Sequence, residues 1–308
     1  MFKNKQSLLN VALFTCASLL SSLAQARYYD DVIASGYIKI GFYKDFPPYS
    51  YLEEGKPVGV DVEIAKRIAT GLGVEFQPHW ITPDENLEDD LRNNVWKGHY
   101  LDKNEENPLA LKNIADVMMR VPYDREYSYM QDSTGAVIND MVVMFGPYQR
   151  ESWQVVYDGR KMDDVSTLAV FQYHPIGVEI DSLPDFYLTS AFGGRMRDKT
   201  HHYTNAREAF AAMEKGKVDA VMAMRAEVDW LVARSKDPNF KLASNGYPTM
   251  GKQKWDIGMA IKHTYRQLGY AVDDIVAGMV RSGEMEKIYN QYGLRYELPG
   301  FYQEVSQQ

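Results

Sequence analysis

The chain has 308 residues, with 34 Lys and Arg against 42 Asp and Glu, a net charge of −8. That acidic balance argues against a nucleic-acid or anionic-lipid surface. The length suffices to bury a large core without disulfides, and the one cysteine, Cys16, lies near the N-terminus.

The first stretch is read as an export signal. Lys3 and Lys5 precede the short apolar run 8–20, and Ala24-Gln25-Ala26 supplies the small residues a signal peptidase reads, placing cleavage after Ala26. The run is too short for a typical membrane span, and Phe14 and Thr15 are too bulky for a lipoprotein site at Cys16. An uncleaved anchor helix is the alternative. Removing residues 1–26 leaves 282 residues with 32 basic and 42 acidic, a net −10. That length suggests two lobes, and no later stretch is long and apolar enough to insert in a membrane.

The rest alternates strand and helix signals, the pattern of an α/β fold. Tyr37–Phe42 alternates as a strand, and 49–60 reads as a small hairpin turning at Gly55. A helix follows from about Asp61, with Ile64, Ala65, Ile68, Ala69 and Leu72 on one face and Gly73 as its stop. Val74–Pro78 is a strand, Leu91–Trp96 a short helix, Lys103–Asn107 a solvated loop, and Ala115–Met119 a strand. Residues 126–141 read as an insertion; Trp153–Tyr157 and Leu168–Phe171 read as strands. Asn205 with Glu208 forms a capping-box signal for a helix to Lys215, ended by Gly216. Val218–Met222 is a strand, Glu227–Ala233 a helix and Ile257–Ile261 a strand. Two helices close the chain around Leu268, Val272, Ile275 and Met279, then Met285, Ile288, Tyr289 and Tyr292, broken at Ser282-Gly283. No linker separates two domains, which suggests lobes joined by crossing strands.

Four segments, in order, carry a resemblance: Phe46-Pro47-Pro48-Tyr49-Ser50 through Gly59–Ala65; Phe145-Gly146-Pro147-Tyr148; Ala206–Val221; and Ile257–Ile261 with 268–293. Together they resemble the type-2 periplasmic solute-binding proteins, bacterial extracellular family 3, of the polar amino-acid type. The resemblance implies a periplasmic protein of two α/β lobes, joined by two hinge strands, that close over a ligand in the cleft. It places lobe 1 at 27–156 plus 256–308 and lobe 2 at 157–255, with the first crossing near Tyr157 and the return near Asp256.

In such proteins an Arg of the cleft holds the ligand carboxylate and an acid of the second lobe holds its ammonium. Carried over by position, the implied ligand-binding residues are Tyr49, Asp61, Arg125, Tyr173 and Met224. The pattern departs from the family at several points. Arg125 lacks the usual Thr ahead of it and Met224 stands where relatives have the acid. The Gln172–Pro175 loop lacks the usual Gly-Thr or Gly-Ser pair. Structural alternatives stay open: Arg125 as a surface residue paired with Asp124 or Glu126, Tyr49 as core, Asp61 as a helix cap. His201-His202 reads as a solvated pair, because neighbours on a strand face opposite ways and no ligand stands at metal spacing.

Leu91–Leu101 and Ala115–Met118 further resemble a subgroup, the J-type accessory proteins of periplasmic quinoprotein methanol and alcohol oxidation. The resemblances imply a binding protein for a small organic solute, with an ABC permease as partner. The alternative is an accessory protein whose partner is a periplasmic quinoprotein dehydrogenase. A cyclohexadienyl-dehydratase-like enzyme is a third reading, for which Glu179 is the acid to test. No catalytic motif, cofactor site or metal cluster stands out in the sequence.

Overall fold

The structure, a computed structural model, describes residues 27–99, 113–244, 246–247 and 250–305. The signal segment with its cut after Ala26 and the loop Lys103–Asn107 lie outside the described residues. No helix among the described residues is long and apolar enough to cross a membrane.

A short helix α1 (Tyr29–Ser35) leads into β1 (Tyr37–Tyr43). The hairpin β2 (Tyr51–Glu53) and β3 (Lys56–Val58) precedes α2 (Val60–Leu72), whose apolar face is buried and whose end is fixed by Gly73 at φ 71°. The left-handed conformation that ends a helix suits a residue without Cβ. Then come β4 (Glu75–Ile81), α3 (Leu87–Leu91, continuing as a wider turn over Arg92–Trp96), β5 (Val117–Pro122) and α4 (Arg125–Ser128). β6 (Val142–Asp158) runs 17 residues, far beyond the predicted Trp153–Tyr157. The predicted insertion 126–141 holds the rest of α4 and a turn closed by a bridge between Gln131 and Val137.

The second half contains β7 (Ile176–Glu179), α5 (Leu183–Gly194), β8 (Thr200–Tyr203), α6 (Ala206–Glu214), β9 (Ala220–Met224), α7 (Arg225–Ser235) and β10 (Phe240–Leu242). β11 (Lys254–Lys262) returns to the first half, followed by α8 (Arg266–Ser282), α9 (Glu284–Gln291) and α10 (Gly300–Val305).

One correction concerns Leu168–Phe171, which forms a 3-10 helix over Leu168–Gln172, not a strand. Leu168 and Phe171 are both buried. Residues three apart share a face in a 3-10 turn but take opposite faces in a strand. The Thr167 hydroxyl also accepts from Ala169 N–H at 3.4 Å, starting the turn.

The strands order as β4-β1-β5-β11-β6-β9-β7-β8, with β10 also on β6. β6 joins two half-sheets: it pairs with β11 through Ser152 and with β9 from Trp153 onward. This exchange of partners falls before Tyr157, where the sequence places the first crossing; on the returning strand, Lys254 already pairs with Ser152. Trp153 and Trp255 pack there with ring centroids 5.0 Å apart. Each half has its own buried cores, built around Ile38, Ile64, Met259 and Tyr289 in the first and around Val155, Phe171, Phe210 and Val221 in the second. Arg225 ties the halves together. At the start of α7, it donates to the carbonyls of Arg295 and, at 2.8 Å, of Arg150.

Candidate functional site

Two bulges meet at one glycine. On β5, Val121 pairs with Gly258 and Met119 with Met259, so Arg120 is left unpaired, at φ 60°. On β6, Gln149 pairs with Ile257 and Phe145 with Met259, so Gly146, Pro147 and Tyr148 together oppose Gly258. Gly146 takes φ 58°, and Pro147 has no N–H to give the ladder. Gly258 permits the crowding, since a Cβ there would stand 2.6 Å from the Phe145 carbonyl oxygen. Arg120 and Tyr148 are thereby freed from ladder pairing and turned into one buried polar layer.

That layer is tightly connected. The Arg120 guanidinium lies 3.3 Å from the Tyr49 ring centroid, donates to Gln149 Oε1 at 3.1 Å and stands 3.5 Å from Asp61 Oδ1. Tyr148 donates to Asp61 Oδ1 and Tyr289 to Gln149 Oε1. Tyr49 and Gln149 both donate to Glu151 Oε2, at 2.8 and 2.6 Å. Tyr49, Asp61, Tyr148, Gln149 and Glu151 are all 0% exposed. Burial pushes the Asp61 carboxyl up to about 6, against the opposing pull of Arg120. Arg120 Nη2 is buried without a hydrogen bond, 4.0 Å from Glu151.

A cavity of about 460 Å³ opens between the halves, and Phe46 of its lining packs on Tyr49 of this layer. The first half contributes Tyr43, Asp45, Asp84 and Asp90; the second contributes Glu179, Arg207 and Glu227. These residues sit at the ends of β1 and β7, in adjoining turns, and at the first turns of α3, α6 and α7. The carboxyl ends of parallel strands are where open α/β sheets place ligands. Arg207 crosses the gap, gripping Asp45 Oδ1 and Oδ2 at 3.0 Å each, and this hydrogen bonding holds the Asp45 carboxyl below its usual range. Asp90 accepts from Tyr43 Oη at 2.7 Å and from Asp84 N–H at 2.8 Å. Glu227 is only 6% exposed. Burial first, then Glu179 and Glu151, push its carboxyl up to about 8. Glu179 is likewise raised, by burial.

Of the residues singled out in the sequence, Tyr49 and Asp61 come together, joined through Arg120 and Tyr148 in the buried layer. Met224 ends β9 and precedes α7, packed against the first-half core. Arg125 is exposed and lines a surface cavity of about 600 Å³ with Tyr129, His263 and Arg266, built from the first half alone. Tyr173 is 72% exposed and lies outside the residues lining the interlobe cavity. His202 holds Asp185 Oδ1 at 2.8 Å, and no cluster of metal-ligating side chains occurs among the described residues.

Sequence reasoning missed Arg120, Glu151, Arg207 and Glu227. For Arg120 a signal was present: an Arg inside the apolar run Val117–Val121 must be buried with partners. Glu227 stands three residues beyond Met224, where an acid reads as ordinary helix capping.

The model of the bacterial extracellular solute-binding proteins, family 3, matches residues 38–96. Among solved structures, an ancestral cationic amino acid solute-binding protein superposes with a TM-score of 0.63 at 15% identity, covering 86% of this chain and 98% of that one. An amino acid ABC transporter substrate-binding protein of Streptococcus pneumoniae, bound to L-arginine, gives 0.58 at 18%, covering 86% and 97%. A solute receptor for L-cysteine of Neisseria gonorrhoeae gives 0.58 at 20%, covering 86% and 93%. No curated protein matches by sequence. The fold is that of a type II periplasmic binding protein.

Proposed function

We propose that this chain is an exported solute-binding protein of family 3, holding a small organic solute between its lobes and presenting it to an ABC importer. The observation that carries this reading is the cavity lined from both halves and bridged by Arg207 and Asp45. A ligand there touches both lobes, so binding favours closure about the β6 and β11 crossings. The larger cavity near Arg125 is lined by one half only and gains nothing from closure.

The test is a thermal-shift screen of residues 27–308 against amino acids, organic acids and amines. A solute that binds only the native state raises the melting temperature by mass action, by about 2.7 kcal/mol of stability at a hundred times Kd. A concentration-dependent rise supports the reading. A flat response across the screen, with a quinoprotein dehydrogenase co-purifying, overturns it in favour of the accessory role.

A further inference from the structure

We propose that the interlobe cavity selects a small organic cation that carries no carboxylate, held by Glu227 and Glu179. The inference rests on the solute-binding reading and names the ligand class for that site.

The charges of the lining point one way. Five carboxylates, Asp45, Asp84, Asp90, Glu179 and Glu227, face the cavity with only Lys44 and Arg207 as cations. Arg207 is spent on Asp45 through a bidentate contact. A carboxylate ligand is held best by a free guanidinium fork, and Arg120 of the buried layer offers none. Arg120 is 7% exposed, covered by the Tyr49 ring and engaged by Gln149 and Asp61.

The cationic side of the argument is independent. Glu227 is more than nine-tenths buried, lines the cavity, and has no Lys, Arg or His nitrogen within 4.0 Å among the described residues; Glu179, beside it, has none either. Burial first, and then Glu179, disfavour the ionised form of Glu227 in the empty site, because a buried carboxylate without a charge partner is costly. An ammonium, guanidinium or quaternary ammonium between them supplies the missing charge. Glu227 also takes a backbone hydrogen bond from Met224, as a helix-capping residue would. Gln performs that capping task without a charge, so Glu227→Gln separates the two roles.

Agmatine and L-arginine form the matched probe, since they differ only by the α-carboxylate. Calorimetric titration of residues 27–308 is expected to show agmatine binding at least tenfold more tightly than L-arginine. Glu227→Gln and Glu179→Gln should each weaken agmatine at least tenfold while their melting temperatures without ligand stay at or above wild type. Tighter binding of arginine, or unchanged agmatine affinity in both variants, overturns the proposal. Binding of an anionic or zwitterionic solute with no response to agmatine sinks the cation selectivity and leaves the solute-binding reading standing. No binding by any solute of the thermal-shift screen sinks both.

Discussion

The Arg120 guanidinium stacks on the buried Tyr49 ring at 3.3 Å, and Tyr49 in turn donates from its hydroxyl to Glu151. This pairing forms the centre of a buried layer that reaches the interlobe cavity through Phe46, whose ring lies 5.0 Å from that of Tyr49. Arg120 is the cation that Asp61 and Glu151 share, while Glu151 also has Arg225 at 3.8 Å.

Arg120→Ala leaves Asp61 and Glu151 buried without their shared cation. Breaking a buried pair from one side costs about 3–5 kcal/mol, and urea unfolding should show a loss of that size. Arg120→Lys should recover little of it, because an ammonium cannot reproduce the flat stacking on Tyr49 together with the bond to Gln149.

Glu227 should impose a pH dependence. Its groups in play are Glu179 and Glu151, which raise it, Arg120, which lowers it, and the Met224 backbone donor. With the folded value near 8 and the unfolded value near the ordinary 4.5, the folded state binds more protons between them, so stability falls as pH rises through that window. Below the window both states are protonated and the effect vanishes. Glu227→Gln should flatten this slope and stabilise the protein at pH 8, as read from denaturation midpoints between pH 5 and 9.

Arg27, the first residue after the predicted cleavage point, donates to Asp116 Oδ2 at 2.7 Å and to the Tyr37 carbonyl at 2.8 Å, and its guanidinium lies 4.0 Å from the Tyr37 ring centroid. Asp116 is 2% exposed and also accepts from Lys39 N–H. Arg27→Ala should cost about 3 kcal/mol of unfolding free energy, whereas substitution of the exposed Tyr28 should cost far less.

The Arg207–Asp45 bridge spans the cavity mouth at an exposed position. Exposed pairs contribute about 0.2–1 kcal/mol. Arg207→Ala should therefore weaken solute affinity only a few-fold, with the difference shrinking as salt rises. Because Asp45 is held below its usual range, this contribution is present at neutral pH and is lost as pH falls through its folded value.

Gly258→Ala should lower stability by about 1–3 kcal/mol, the range for overpacking. The new Cβ meets the Phe145 carbonyl oxygen at 2.6 Å, with Tyr123 Cβ at 3.3 Å. Gly278→Ala is the control, since a Cβ there meets nothing within 4 Å.

Local signals made much of the fold legible. Asn205 does accept from Glu208 N–H at 3.0 Å, and Gly216 and Gly283 adopt left-handed φ where the helices were expected to stop. The full length of β6 was not legible: only Trp153–Tyr157 reads as a strand, and the stretch through Gly146 and Pro147 is held in the sheet by its pairing with β11. Gly258 shows the same limit: its need for a bare Cα comes from Phe145, more than a hundred residues earlier. The site residues divide likewise. Tyr49 and Asp61 lie in a motif continuous in sequence. The layer joining them draws Arg120, Gln149, Glu151 and Tyr289 from distant elements, and Glu227, the buried acid lining the cavity, stands one turn beyond Met224.

The central claim, that a solute is held between the lobes, is tested most directly by hydrogen exchange with mass spectrometry on residues 27–308, with and without the strongest solute from the thermal-shift screen. The account predicts protection on both sides of the cavity, in segments 43–47 and 84–90 of the first half and 176–180, 204–208 and 225–228 of the second. Protection confined to 123–144 and 263–266, the surface around Arg125, would contradict it.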